Sequence, residues 1–238
     1  TTNDQTEDPV EEENVDLPVL ENESEEPLEE ADSANEVSTT TEEANLQTRI
    51  LDYLRKLLTS DIDKVRQTVI NATGEIGKSD FMVVVDFFDV GLFDHHHSVR
   101  NAVIGSVKKM SQKNPKPTLK WARKYLHHED KEVRREICHG IELRGRTHPQ
   151  DILPLLQELQ NDGTARVRNT LIHVLGQIAY KKGCLETVLK ALNIWDNKDL
   201  VEEALDEIID VHHRYRDFAI LTQKQAIDYI DKNYLRHG

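Results

Sequence analysis

The sequence predicts an all-α fold, an α-solenoid of about five 34-residue helical hairpins, and three observations predict it. Val65, Val99, Val133, Val167 and Val201 stand 34 residues apart, and arginine follows the first four, as Arg66, Arg100, Arg134 and Arg168. Each valine opens the same apolar pattern: four residues on stand Val69, Val103, Ile137, Leu171 and Leu205, and eight on stand Thr73, Val107, Ile141, Leu175 and Ile209. Positions 0, 4, 7, 8 and usually 11 after the valine form one stripe of a 3.6-residue helix. Shorter second helices fill the intervals, over about residues 80–93, 117–127, 149–160 and 185–195. Pro117 and Pro149 sit at their starts, and Gly77, Gly145 and Gly183 lie near helix ends or in turns. A two-helix unit of this length cannot bury its apolar faces alone, so copies must stack.

Residues 1–45 form an acidic tail, rich in Glu, Asp, Ser, Thr and Pro, that cannot bury enough apolar surface to offset chain entropy. Disorder is expected there. The islands DLPVL (16–20) and EEPLEE (25–30) suit either a solvating tail or a docking peptide or lid. A helix begins at Asn45 with Leu46, Ile50, Leu54 and Leu57 or Leu58 on one face, and Thr59 to Asp63 breaks it. The solenoid spans 46–238, with repeats over 46–213 and a C-terminal cap over 214–238. In the repeats, position 7 is small in the first three copies (Ala72, Ser106, Gly140), which allows close helix approach. In the cap, a helix over 222–236 turns Ala226, Ile227, Ile230 and Tyr234 toward the last repeat.

The charge is unevenly spread. Residues 1–45 hold 17 of the 44 acids and none of the 30 bases, leaving 27 acids against all 30 bases in the body. The acidity therefore describes the tail, not the repeats. Cys138 and Cys184 lack metal-ligand spacing and read as free thiols of a reduced, cytoplasmic protein. The most apolar stretch, residues 81–93, is interrupted by Asp86 and Asp89 and reads as a buried helix rather than a membrane span.

The recurrent Val-Arg pair after a polar turn, with the closing phrases ATGEIG (72–77) and VLGQIA (174–179), resembles the HEAT repeats of armadillo-like, phycobilisome-lyase type. The resemblance covers about 46–213. The Trp, Gly and Tyr pattern of tetratricopeptide repeats, which share the period, is absent. The likeness implies that the Val-Arg helices line a concave face and that Arg66, Arg100, Arg134 and Arg168 form a structural ladder, with Asp61, Glu129 and Asp162 as candidate acids. The fifth copy departs from the pattern, with Glu202 in place of arginine and Asp206 in place of an aliphatic residue.

On that view, positions 2, 6 and 9 after each valine face a partner. The groove is polar in the first copies, basic and histidine-bearing in the middle, and acidic in the last. Its candidate contacts are Asn101, Lys108, Arg135, His139, Glu142, Arg146, Asn169 and His173. Residues 100–146 hold 13 bases and five acids. This pattern points to a monomeric, non-enzymatic scaffold that binds another protein, an acidic one included. Nucleic acid is the alternative, and with it a glycosylase activity like that of the HEAT-like DNA alkylation repair enzymes. Trp121 and Trp195 fall on the outer helices, and Glu142 and the acids of the fifth copy are the only candidates for a catalytic acid. No catalytic residue, cofactor or metal ion is assigned; His95, His96, His97, His127 and His128 read as exposed or capping turn residues rather than ligands.

Overall fold

The computed structural model describes residues 33–234, with side chains from Glu42 onward. Every regular element among them is an α-helix. The chain divides into a unit of residues 1–44 and one of residues 45–238, and the repeats occupy the second. The expected tail, with its docking islands, lies outside the described residues as far as residue 32. Residues 33–45 instead belong to α1 (Ser33–Leu58). The helix thus starts before Asn45, because apolar periodicity marks only where a helix finds a core, not where its backbone ladder begins.

The expected apolar face of α1 meets the core only toward the end of the helix, where Leu54 and Leu57 pack against it. Leu51 and Leu58 are buried, whereas Leu46 and Ile50 are 55% and 48% exposed. From the same helix, Arg55 Nε donates to Asp86 at 2.7 Å, and its guanidinium lies over the Phe87 ring.

Five longer helices carry the Val-Arg phrase: α2 (Asp63–Gly77), α4 (His97–Lys113), α6 (Lys131–Gly140), α9 (Ala165–Ala179) and α11 (Lys198–Arg214). They pack against one another in chain order and form one row. The third is interrupted at Ile141 and resumes for one turn as α7 (Glu142–Gly145). The second row holds α3 (Val85–Gly91), α5 (Pro115–Tyr125), α8 (Pro149–Gln157) and α10 (Cys184–Leu192). Against the expected bounds, α5 and α10 start and end earlier, α8 ends earlier, and α3 is shorter at both ends, with a bend and turn over residues 81–84 before it starts.

The repeating stripe is the core. Val69, Val103, Ile137, Leu171 and Leu205 are all buried, as are Val99, Val133, Val167 and Val201. Val65 is half-buried, and Ala72 is exposed. Thr73 fits the apolar stripe because its hydroxyl donates to the main-chain carbonyls of Val69 and Ile70. Where first-row helices touch most closely, side chains are absent: a Cβ on Gly74 would collide with Ser106 Oγ. In the second row, Phe81 and Phe88 each meet Trp121 edge to face. Asp89, which breaks the apolar run in the sequence, accepts bonds of 2.6 Å from both Trp121 Nε1 and the Tyr125 hydroxyl.

The array ends on α12 (Gln223–Asn233), which packs on α11. Thr222 and Gln225 form a reciprocal capping box at its start. Ala226, Ile230 and Tyr234 are buried, and Ile227 is half-buried. The polar outer side suits the end of a stacked array.

Candidate functional site

The arginine after each valine is placed by helix geometry at the edge of the row, beside the turn that precedes its own helix. All four arginines use Nη1 in the same way. Arg66 donates to the Ser60 carbonyl at 2.8 Å, Arg100 to Asp94 at 2.7 Å, Arg134 to His128 at 2.7 Å and Arg168 to Asp162 at 2.6 Å. The acceptor is always six residues back, so the ladder keeps the 34-residue register.

The carboxylate partners come from the turn ahead. Asp94 receives Arg66 Nε and Nη2 at 2.6 and 2.9 Å, and Asp162 receives Arg134 Nε and Nη2 at 2.6 and 3.0 Å. Of the expected acids, Asp162 therefore holds an arginine through its side chain. Glu129 contributes only its carbonyl, to Arg134 Nη1 at 2.9 Å. Asp94 takes the place expected for Asp61. The correction follows from direction: the arginine fork reaches forward to the next copy, and the turn behind it offers main chain. Burial pushes the Asp94 and Asp162 carboxyls up, but their arginines and a capped amide outweigh it and hold both below the usual range. In the intervening copy the corresponding residue is His128. Arg100 turns its Nε to Glu136 instead, at 3.3 Å.

The expected groove separates into exposed and covered positions. Asn101 and Asn169, at position 2, are exposed, and Arg135 is half-buried. Arg135 Nε donates to Glu132 at 2.9 Å. At position 6, His139 and His173 are half-buried, with ring centroids 6.0 Å apart. Position 9 differs from the expectation. Gly74, Glu142 and Gly176 are buried, because this position lies against position 6 or 7 of the next copy: Gly74 meets Ser106, and Gly176 meets Glu207. A single helix wheel places position 9 opposite the core stripe. In the row, neighbouring helices cover that flank as well.

Glu142 is the central case. It is 1% exposed and so is not presented to a partner. Its Oε1 accepts Arg146 Nε and Nη2 at 3.0 and 2.5 Å, and Arg146 also donates to Gln177 Oε1 at 3.1 Å. Oε2 stands 3.0 Å from His139 Nε2 and 3.6 Å from Lys108 Nζ. Burial pushes this carboxyl up, but His139, Lys108 and Arg146 together carry it down to about 2. The structure thus brings Lys108, His139, Glu142, Arg146 and His173 into one cluster and leaves Asn101, Arg135 and Asn169 beside it.

The positive excess of residues 100–146 does not collect in the groove. Arg100, Lys108, Arg134, Arg135 and Arg146 face acids from their own or neighbouring copies. Lys116, Lys120, Arg123 and Lys124 form an exposed stripe on α5, in the second row, with Arg123 bonded to Glu158 at 2.8 Å. The fifth copy supplies the opposite charge: Glu203, Asp206, Glu207 and Asp210 border an open depression of about 620 Å³ with Asn169, His173 and Arg214.

The turn histidines serve local structure. His96 Nδ1 accepts from the Ser98 amide at 3.3 Å, His128 Nδ1 accepts from the Asp130 amide at 3.0 Å, and His127 reaches Glu158 at 2.7 Å. Glu136, outside the expected groove positions, is a buried acid that faces Arg100 and Arg135. The sequence does carry a signal for it: position 3 after the valine reads Thr68, Ala102, Glu136, Thr170 and Ala204, one acid among small residues.

A family model described as HEAT repeats matches residues 119–208, from within α5 to within α11. Over that span this chain is a HEAT-like helical repeat protein. No curated protein matches it. Crystal structures of two engineered proteins are similar to this HEAT-like chain. They cover 78% and 76% of it and 98% and 89% of their own chains, at 16% and 17% identity and TM-scores of 0.38 and 0.34. No helix among the described residues of the HEAT-like protein is long and apolar enough to cross a membrane.

Proposed function

We propose that this HEAT-like protein is a non-enzymatic scaffold that binds an extended segment of another protein along the exposed face of its first row. One observation carries the reading: positions 2 and 6 form a strip whose charge changes along the row. It runs from neutral (Gln67, Asn71, Asn101), through Arg135, His139 and His173, to anionic (Glu203, Glu207). Adjacent helices lie roughly 8–10 Å apart, so five copies offer a strip some tens of ångströms long, suited to a peptide rather than a small substrate. Glu142, the candidate acid of a glycosylase reading, is covered and held ionised, which suits a structural part better than proton transfer.

The partner in this proposal carries acids opposite Arg135 and bases opposite Glu203 and Glu207. The protein acts as a monomer until that partner binds. The free thiols at Cys138 and Cys184 suit a reducing compartment such as the cytoplasm. The test is selection from a displayed peptide library. Bipolar sequences should emerge, and their affinity should fall in Arg135→Glu and Glu203→Lys. Selected peptides that bind both variants as tightly as the unaltered chain would refute the assignment.

The α5 stripe favours a second reading, nucleic-acid binding, since three lysines and an arginine share one face of a helix that contains no acid. It predicts duplex binding that weakens steeply with salt and with Lys116, Lys120 and Lys124 changed to glutamine. A base-excision assay on alkylated duplex tests the glycosylase form of this reading.

A further inference from the structure

We propose that His139, Glu142 and His173 form a binding site for a divalent transition-metal ion of the zinc type, which joins the third and fourth repeats and whose place Lys108 now fills. The two histidines occupy position 6 of consecutive copies, so the stacking of α6 on α9 brings them together. Glu142 stands one turn beyond His139 on the continuation of the same helix. Each residue offers one ligand atom, and these atoms lie within 4.8 Å of one another. Zinc bonds of roughly 2.0–2.2 Å in tetrahedral geometry set ligand atoms about 3.3–3.5 Å apart. Modest side-chain rotation closes the longest edge.

The cluster already holds one cation, the Lys108 ammonium. Lys108 Nζ, which can only donate, lies 3.0 Å from His139 Nε2. In the tautomer protonated at Nδ1, the imidazole presents its Nε2 lone pair there. Glu142 Oε2, also an acceptor, stands 3.0 Å from the same nitrogen, and in a side chain 98% covered it has no hydrogen-bond partner. The lysine ammonium stands beside both atoms, at 3.0 and 3.6 Å. A metal ion satisfies the same lone pairs at shorter distance and recruits His173 as well.

The surroundings suit a ligand set. Arg146 holds Glu142 Oε1 and is itself held by Gln177, which leaves Oε2 oriented toward the imidazoles. Lys108 and Arg146 lower the affinity by repulsion, and Lys108 is the one that must leave. Its side chain is 26% exposed and has a flexible stem that can swing outward. Two imidazoles and one carboxylate leave a fourth position for water or a partner's side chain.

The test uses the purified full chain stripped of metal with a chelator, titrated with Zn²⁺ by calorimetry and with Co²⁺ by visible absorption. One ion per chain should bind at micromolar concentration or tighter, with cobalt bands of tetrahedral intensity. It should also raise the melting temperature. His139→Ala with His173→Ala should weaken binding by at least about tenfold, consistent with loss of two ligands. Lys108→Met should strengthen it. The triple change of His95, His96 and His97 to alanine should leave it unaltered, which separates this site from the exposed turn. No binding below about 100 μM by either the unaltered chain or Lys108→Met overturns the proposal, as does equal binding by the double histidine variant. Because His139 and His173 are half-exposed, their variants retain the fold, and circular dichroism verifies this.

Discussion

The ladder makes a quantitative prediction at Asp162. Replacing it with alanine removes two charge-assisted bonds to Arg134 and the acceptor for the Thr164 amide at 2.8 Å. The pair is largely covered, with side-chain exposures of 15% for Arg134 and 6% for Asp162. Breaking a buried pair by removing one partner costs about 3–5 kcal/mol. Arg134 keeps its bonds to the His128 and Glu129 carbonyls and retains some access to water, so the expected loss is about 2–4 kcal/mol. The stacking direction is also at stake, because Asp162 joins the third copy to the fourth. Asp162→Asn keeps the cap on Thr164 but loses the charge, and should fall between the two.

The pH dependence follows from the sign of the shift. Asp162 is held below its ordinary carboxyl range in the folded chain. Its contribution is therefore complete above the unfolded value of about 3.9 and is lost as pH falls from there through the lower folded value. Urea unfolding at pH 7.5 and at intervals below pH 4 measures both effects. A loss under about 0.5 kcal/mol for Asp162→Ala at pH 7.5, the size of an ordinary surface change, would refute the ladder as a stabilising element. So would a difference from the unaltered chain that stays constant down to the lowest pH.

Three further outcomes are expected. Leu171→Ala, at a fully buried position of the fourth repeat, should cost about 2–5 kcal/mol in the same unfolding assay. Gly74→Val should destabilise by about 1–3 kcal/mol, because its Cβ starts inside Ser106; combining it with Ser106→Gly should recover part of the loss, read as a melting temperature. Glu142→Gln should lower stability at pH 7.5 and flatten the acid limb of the pH profile. The charged form of Glu142 is favoured in the fold above its unfolded value of about 4.3, and that advantage disappears as pH drops toward about 2.

Much of the cluster is legible in the amino-acid sequence. His139, Glu142 and His173 stand out as groove residues because their positions recur at the repeat period. Lys108 and Arg146 do so because residues 100–146 are basic. Their roles are not legible there. Glu142 reads as an exposed groove acid on an isolated helix wheel, but a flanking helix covers it, and only the stacked row shows that Arg146, Lys108 and His139 neutralise it. Arg100 shows the same limit: its phrase matches Arg66 and Arg134, yet His128 replaces the expected acid, and the guanidinium turns to Glu136.

The sequence by itself determined the period and the apolar stripe, because those depend on local helix geometry repeated every 34 residues. Tertiary structure decided the partners. Asp94 rather than Asp61 receives Arg66, Leu51 rather than Ile50 enters the core, and the lysines of α5 turn away from the groove. Each of these depends on the offset and rotation between neighbouring helices. That offset is set by many close contacts such as Gly74 against Ser106, which one-dimensional periodicity does not encode.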